Sequence, residues 1–204
     1  MLTTKIKKYK TKFSKRLESD YLKQYNGTKL YDILQYSLDG GKRLRPIIVD
    51  EITKKLNKLN STHIDCSHLS IMVELIHSAS LLIDDLPSMD NDDERRGKLT
   101  FHKKYNVLGA HVISSLLISD SYDMIDKLYT YLEDLNIYDK NECEQRILAI
   151  YNNILNNLGE DGIIMGQYID LLPLYSIEFG SIISDELDNY KNEKLLKVLI
   201  HKKT

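Results

Sequence analysis

The stretch HLSIMVELIHSASLLIDDLPSMDNDDERRG, residues 68–97, decides the fold of this chain and points to its chemistry. Residues 68–86 are apolar on nearly every helical face, which predicts a central helix surrounded by other helices. Pro87 is expected to end that helix. Carboxylates and two arginines follow the apolar run: Asp84, Asp85, Asp90, Asp92, Asp93, Arg95 and Arg96. Carboxylates this close repel one another, so either water or a metal ion must lie between them.

The rest of the chain has the same helical periodicity. Only three prolines and nine glycines occur in 204 residues, and apolar residues recur every three or four positions, which predicts an all-α fold without strands. Helices are expected in KLYDILQYSL before Gly40 and Gly41, and in PIIVDEITKKLNKLN from Pro46. Two further long helices are expected in VLGAHVISSLLISDSYDMIDKLYTYL and ECEQRILAIYNNILNNLG. The length favours one domain, residues 1–204.

The N-terminal segment MLTTKIKKYKTKFSKRLESD allows two interpretations. It has no acidic residue before Glu18, as in organellar transit peptides, but it is rich in lysine rather than arginine. Ile6, Tyr9, Phe13 and Leu17 recur at helical spacing, which favours an ordinary first helix.

Composition excludes several classes of function. The net charge of -2 arises from many charges of both signs, so no nucleic-acid or membrane-surface footprint is expected. Two cysteines are too few for a disulfide framework or a zinc ribbon and fit a reducing compartment. No apolar run approaches the roughly 20 residues that span a bilayer, so no transmembrane segment is expected. A cytoplasmic location is predicted, with an organelle as the alternative.

One face of the central helix is predicted to be polar. At about 100° per residue, His77 and Asp84 fall nearly in line, and Ser80 lies one turn before Asp84 on the same side. We call these three residues the His77–Asp84 face. Pro87 allows the chain to turn back, so that Asp90 can reach the same site as Asp84. Magnesium commonly bridges one or two carboxylates to the phosphates of a substrate, which fits this arrangement.

Two basic clusters accompany the carboxylates. Arg95 and Arg96 carry fork-shaped donors that suit phosphate oxygens. Lys42 and Arg45, in GGKRLRP, lie beside helix ends that help to hold an anion. The alternative is a solvated acidic loop with helix-capping roles. One acidic metal site and two basic clusters favour two phosphorylated ligands.

The chain resembles the trans-isoprenyl diphosphate synthases, the family of farnesyl and geranylgeranyl diphosphate synthases. The matching pieces occur in the family's order and cover most of the chain: GGKRLRP, VELIHSASLLIDDLPSMDNDDERRGKLTFH, GIIMGQYIDL and the terminal HKKT. The resemblance implies an antiparallel helical bundle around a central cavity. It also implies a homodimer, or a heterodimer with a homologue.

The resemblance also assigns roles to residues. The positions that match the site for isopentenyl diphosphate are Lys42, Arg45, His77 and Arg96. The positions that match the first aspartate-rich motif, which binds Mg²⁺ and through it the allylic diphosphate, are Asp84, Asp85 and Asp90. The positions that match further contacts near the allylic substrate or the KT pair of the family are Arg95, Gln167, Lys203 and Thr204.

The implied activity is that of a prenyltransferase. The allylic C–O bond ionises, the double bond of isopentenyl diphosphate attacks the cation, and loss of a proton gives a prenyl diphosphate longer by five carbons. In the family a bulky residue just before the aspartates favours short products. Ala79 and Ser80 are small here, so geranylgeranyl diphosphate is the expected product.

The chain departs from the family pattern after the KT pair. Family members continue into helices with a second aspartate-rich motif, whereas this chain ends at Thr204 and is expected to be truncated there. Three explanations are open: a truncated sequence, a diverged protein without activity, or a subunit completed by a partner. The alternative function is therefore a catalytically incomplete subunit that binds or regulates a full-length homologue.

Overall fold

The computed structural model describes residues 2–159 and 162–168. The chain divides into two compact units, with the boundary between Ile137 and Tyr138. The all-α prediction is confirmed, since helices form almost all the regular structure of the described residues. No helix in this part of the chain combines the length and the apolar character needed to cross a membrane. The single domain expected for residues 1–204 stays a prediction.

The first unit contains six α-helices among the described residues, with a short 3-10 helix at Leu22–Tyr25. They are α1 (Leu2–Asp20), α2 (Lys29–Leu38), α3 (Leu44–Asn60), α4 (Ser67–Asp84), α5 (Phe101–Lys104) and α6 (Val107–Asp134). Helix α4 contacts α2, α3 and α6. Ile71, Leu75 and Ala79 on α4 are completely buried, which confirms the prediction of a central helix.

The first helix is an ordinary, packed element of this unit. Phe13 and Leu17 of α1 are buried. Arg16 Nη1 donates to Asp50 Oδ2 on α3 over 2.9 Å, and the Tyr9 hydroxyl donates to the same oxygen over 2.9 Å. These contacts join α1 to α3 and confirm the helical interpretation of the N-terminus.

Glycine and proline set the helix boundaries where the sequence predicts them. Helix α2 ends at Leu38, and Gly40 and Gly41 follow with φ of 83° and 79°. Pro46 lies in the first turn of α3, where its missing N–H has no intrahelical role. Helix α4 ends at Asp84, three residues before Pro87.

The expectation of no strand is wrong at one place. Strands β1 (Glu94–Arg95) and β2 (Lys98–Leu99) pair antiparallel. Arg96 and Gly97 join them with φ of 58° and 77°, so both turn residues have the positive φ of a tight hairpin turn. Strands of two residues are too short to produce an alternating pattern in the sequence.

The second unit contains α7 (Lys140–Leu158) among its described residues. A capping box begins this helix: Asp139 accepts from the Glu142 N–H over 2.8 Å, and the Glu142 side chain accepts from the Asp139 N–H. Residues 163–168 are helical. Gly166 N–H donates to the Gly162 carbonyl over 3.0 Å, as expected for two residues one turn apart.

Candidate functional site

The loop between α2 and α3, together with the first turn of α3, presents two cations at the surface. Lys42 and Arg45 are exposed, whereas Arg43, between them in sequence, is only 6% exposed. Arg43 has a φ of 57°, in the left-handed region. Its guanidinium donates to the Leu38 carbonyl and forms an ion pair with Glu74 on α4. This segment therefore directs one cation inward and two outward.

His77 connects this loop to α4. The His77 Nε2 atom lies 3.3 Å from Arg45 Nη1. Burial and then the Arg45 guanidinium, with further arginines nearby, lower the pKa of His77 to about 4. At neutral pH the ring is thus uncharged. Because an arginine can only donate, Nε2 accepts and the ring proton lies on Nδ1. The structure brings together the predicted pair of Arg45 and His77.

Arg96 approaches the same loop from the β1–β2 turn. A Cβ atom added to Gly41 would lie 2.5 Å from Arg96 Nη1 and 3.2 Å from Arg96 Cζ. The absence of a side chain at Gly41 therefore leaves room for the guanidinium. Arg96 is thus close to the loop that carries Lys42 and leads into α3 with Arg45.

The chain turns back at the end of α4, as expected from Pro87. Asp84 is the last residue of α4 and is half-buried. The Asp90 N–H donates to the Asp84 carbonyl over 2.9 Å, which brings the exposed Asp90 back beside the helix end. Asp84 and Asp90 are therefore neighbours in the backbone although six residues separate them.

Asp85 has a different environment from the other two aspartates. It is 3% exposed and forms an ion pair with Arg95. Arg95 also contacts Asp92 Oδ2 over 3.3 Å. The hydrogen bond to Asp85 raises the pKa of Arg95 above the usual value of an arginine. Arg95 is therefore held by protein carboxylates, rather than directed away from them as a free phosphate-binding group would be.

A cluster of three metal ligands is not formed in the described residues. Among residues 2–159 and 162–168, no three His, Cys, Asp or Glu side chains lie close enough together to hold a metal ion. Asp84, Asp85 and Asp90 were expected to share one site. Asp85 is buried and paired with Arg95, whereas Asp90 is exposed.

Ser80 and Ala79 lie on different sides of α4. Ser80 is half-buried, and its hydroxyl donates to the His77 carbonyl over 3.0 Å. Ala79 is completely buried, and its carbonyl accepts from Ser114 of α6 over 3.0 Å. Of these two small residues, only Ser80 belongs to the His77–Asp84 face.

A cleft in the first unit lies along another face of α4. Its walls include the charged residues Asp85, Arg95 and Arg96 and the apolar residues Leu82 and Phe101. No residue of the His77–Asp84 face lines it. The cleft gives the two arginines space beside α4, and both lie close enough to His77 to contribute to the lowering of its pKa.

The remaining predicted residues lie elsewhere in the chain. Gln167 is half-buried in the helical segment 163–168 of the second unit. Lys203 and Thr204 lie outside the described residues.

Sequence reasoning missed the pair of Arg43 and Glu74. The signal was available, since Glu74 is a charged residue in a helix that is apolar on nearly every face. A buried carboxylate requires a partner.

The described elements define an all-helical protein with a basic loop, a basic hairpin and a carboxylate turn around one central helix. The chain belongs to the polyprenyl synthetase family, which matches residues 27–204. It is 34% identical over 165 residues to the farnesyl diphosphate synthase of Bacillus subtilis, covering 80% of this chain and 50% of that protein. It is 31% identical over 144 residues to the heterodimeric geranylgeranyl pyrophosphate synthase large subunit 1, chloroplastic, of Arabidopsis thaliana, covering 70% of this chain and 36% of that protein.

A solved structure is similar over nearly the whole chain. The geranyltransferase from Legionella pneumophila aligns with a TM-score of 0.74 and 27% identity, covering 99% of this chain and 62% of that one. The chain spans about half the length of the Bacillus subtilis relative. These comparisons confirm the family expected from the sequence.

Proposed function

We propose that the protein is a prenyltransferase that condenses isopentenyl diphosphate with an allylic diphosphate, with geranylgeranyl diphosphate as the favoured product. Membership of the polyprenyl synthetase family supports this reaction class. The names of the relatives include both farnesyl and geranylgeranyl diphosphate synthases.

The observation that carries the proposal is the placement of two groups along α4. Arg45 contacts His77, and the Asp84–Asp90 turn lies seven residues further along the helix. At 1.5 Å per residue this separation is about 10 Å along the helix axis. Two diphosphates can therefore bind at separate places beside the same helix, so that their negative charges stay apart.

Lys42, Arg45, His77 and Arg96 are proposed to hold the diphosphate of isopentenyl diphosphate. Three of these side chains are cationic, and guanidinium groups match phosphate oxygens by paired hydrogen bonds. Neutral His77 adds a hydrogen-bond donor through Nδ1–H. It also avoids the repulsion that a fourth positive charge would cause beside Arg45.

The carboxylates at the end of α4 fit Mg²⁺. Magnesium takes hard oxygen ligands and commonly uses one or two carboxylates together with water and substrate phosphates. Asp84 and Asp90 supply such a pair, and Asp85 is the third proposed ligand once Arg95 moves to the substrate. Mg²⁺ bound there would neutralise negative charge on the allylic diphosphate.

Arg95 is proposed to stabilise the departing allylic diphosphate. Negative charge grows on this group as the C–O bond breaks, and a donor already aimed at that position lowers the barrier. In the structure Arg95 contacts Asp85 and Asp92. If Arg95 exchanged these carboxylates for the diphosphate, its guanidinium would have an anionic partner throughout.

Ser80 is proposed to line the path of the growing product chain without blocking it. It lies one turn before Asp84 on the His77–Asp84 face, where a growing chain attached to a diphosphate at Asp84 would extend along the helix. Its small side chain leaves room for such a chain.

The other predicted features belong to the same proposal. Gln167, Lys203 and Thr204 are proposed to act on the allylic side of the site. We propose a dimer, of two copies or with a homologue. The name of the Arabidopsis relative, which describes a heterodimeric enzyme, supports the second form. The cytoplasm, or an organelle, is the proposed location.

The test is turnover of radiolabelled isopentenyl diphosphate by the purified 204-residue chain with farnesyl diphosphate and Mg²⁺. Labelled geranylgeranyl diphosphate is expected, and omission of Mg²⁺ should abolish it. A folded protein that yields no product alone, but binds a full-length homologue and changes its turnover, would contradict the proposal and support the regulatory alternative.

A further inference from the structure

Arg43 is buried between two exposed cations, Lys42 in the loop before α3 and Arg45 in the first turn of α3. Lys42 and Arg45 are exposed, whereas the Arg43 side chain is 5% exposed and its partner Glu74 is 3% exposed. The φ of 57° at Arg43 turns the chain through the left-handed region, which costs energy for any residue with a Cβ atom. Such a conformation persists only where the surrounding contacts fix it.

Three parts of the first unit fix Arg43. Its guanidinium donates to the carbonyl of Leu38, the last residue of α2, and forms an ion pair with Glu74 of α4. The guanidinium carbon also lies 5.7 Å from the centre of the Phe13 ring of α1, within the range of a cation–π contact. The loop is therefore attached through one side chain to α1, α2 and α4.

The ion pair of Arg43 and Glu74 is not an efficient way to stabilise the fold by itself. Removing two charges from water is costly, and apolar residues of similar size often replace such a pair without loss. A buried pair does, however, define one geometry, because the remaining arrangements leave a charge without a partner. Arg43 and Glu74 thus favour a single position of the loop over a range of positions.

Helix α4 contacts the end of the loop and the start of α3 at two points one turn apart. Glu74 binds Arg43, and His77, three residues later, contacts Arg45 over 3.3 Å. Residues three apart lie on the same side of a helix. The two contacts fix both the distance of the loop from α4 and its register along the helix.

We propose that Arg43 and Glu74 form a positioning pair that sets Lys42 and Arg45 for the diphosphate of isopentenyl diphosphate. The inference rests on the proposed function of those two cations. Neither Arg43 nor Glu74 contacts the substrate. Glu74 also offsets the charge of Arg43, so that the exposed cations and not the buried one attract the ligand.

The experiment compares two double variants. Arg43→Met with Glu74→Met removes the positioning pair without leaving a buried charge. Arg16→Met with Asp50→Asn removes a second ion pair of the same unit, whose side chains are 14% and 10% exposed and which joins α1 to α3. Circular dichroism and thermal melting establish that each variant is folded. Calorimetric titration then measures the affinity for isopentenyl diphosphate.

Removal of the positioning pair is expected to weaken the binding of isopentenyl diphosphate selectively. The Arg43/Glu74 variant should bind isopentenyl diphosphate about tenfold more weakly, the equivalent of one charge-assisted hydrogen bond. Its KM for that substrate should rise, while kcat and the KM for the allylic diphosphate stay nearly constant. The Arg16/Asp50 variant should lose stability without this change. Arg43→Lys, which keeps the charge but replaces the planar guanidinium with a single ammonium nitrogen, should give an intermediate affinity.

Two outcomes would overturn the inference and differ in meaning. If the wild-type protein binds isopentenyl diphosphate and the Arg43/Glu74 variant binds it equally well, the pair has only a structural role and the proposed function is untouched. If the wild-type protein binds no isopentenyl diphosphate, and Lys42→Ala and Arg45→Ala change nothing, the proposed function fails and the positioning role fails with it.

Discussion

Replacing Gly41 with alanine should weaken the binding of isopentenyl diphosphate without an unusual loss of stability. Gly41 has a φ of 79°. A left-handed conformation costs a residue with a Cβ atom about 1–2 kcal/mol, partly offset by the lower entropy of alanine in the unfolded chain. We therefore expect a decrease of about 1 kcal/mol in the free energy of unfolding.

The effect on binding arises from Arg96. The new Cβ atom would lie 2.5 Å from Arg96 Nη1, so the guanidinium must move away from the loop. This movement costs the folded protein little free energy, because the atom that moves is at the end of a flexible side chain. It removes one charge-assisted hydrogen bond to the diphosphate, worth roughly 1.5–3 kcal/mol, which corresponds to a decrease in affinity of about 10- to 150-fold.

Two other glycines provide matched controls. Gly27 has a φ of 77° and no atom within 4 Å of an added Cβ, so Gly27→Ala measures the backbone cost alone. Gly40 has a φ of 83°, and its added Cβ would meet only Arg96 Cδ, at an ordinary 3.8 Å. Urea denaturation should give similar losses for all three variants, whereas titration calorimetry should single out Gly41→Ala. Equal affinities for Gly40→Ala and Gly41→Ala would refute the role of Arg96 beside Gly41.

Three further predictions follow from the residues on α4. Asp84→Ala should abolish Mg²⁺-dependent binding of an allylic diphosphate while circular dichroism stays unchanged; unaltered binding would exclude Asp84 as a metal ligand. Ser80→Phe should shorten the labelled product seen by chromatography. A product of unchanged length would mean that the growing prenyl chain does not pass Ser80. The pKa of His77 is lowered from 6.5 to about 4, so the unfolded state binds a proton in that window that the folded state does not. Stability should therefore fall as the pH decreases from about 6.5 to 4, and His77→Gln should reduce this slope in pH-dependent denaturation.

Much of the fold follows from short-range rules in the sequence. Apolar residues at helical spacing identify the helices, and Gly40, Gly41, Pro46 and Pro87 identify three of their ends. The same periodicity predicts that His77 and Asp84 share a face. These inferences succeed because they depend on the geometry of one regular helix.

These rules do not predict the structure of the loop between α2 and α3. Lys42, Arg43 and Arg45 are all cations within four residues, and no periodicity indicates which of them is buried, since Lys42 and Arg43 precede α3 and only Arg45 lies in its first turn. The answer depends on the left-handed backbone at Arg43 and on Glu74, which is 31 residues away in sequence. Likewise, Asp84 and Asp85 are adjacent, yet Asp84 is half-buried whereas Asp85 is 3% exposed and forms an ion pair with Arg95, ten residues further along the chain.

The two sites share a pattern in how charge is distributed. At each, an ion pair with a buried member stands beside less buried groups of the same sign as one of its members: Arg43 with Glu74 beside Lys42 and Arg45, and Asp85 with the partly exposed Arg95 beside Asp84 and Asp90. A buried pair has little net charge but a defined geometry. Lys42 and Asp90 are exposed to solvent, so their charges are accessible to a ligand. In this arrangement the paired residues determine where the neighbouring backbone lies, and the exposed residues determine what binds there.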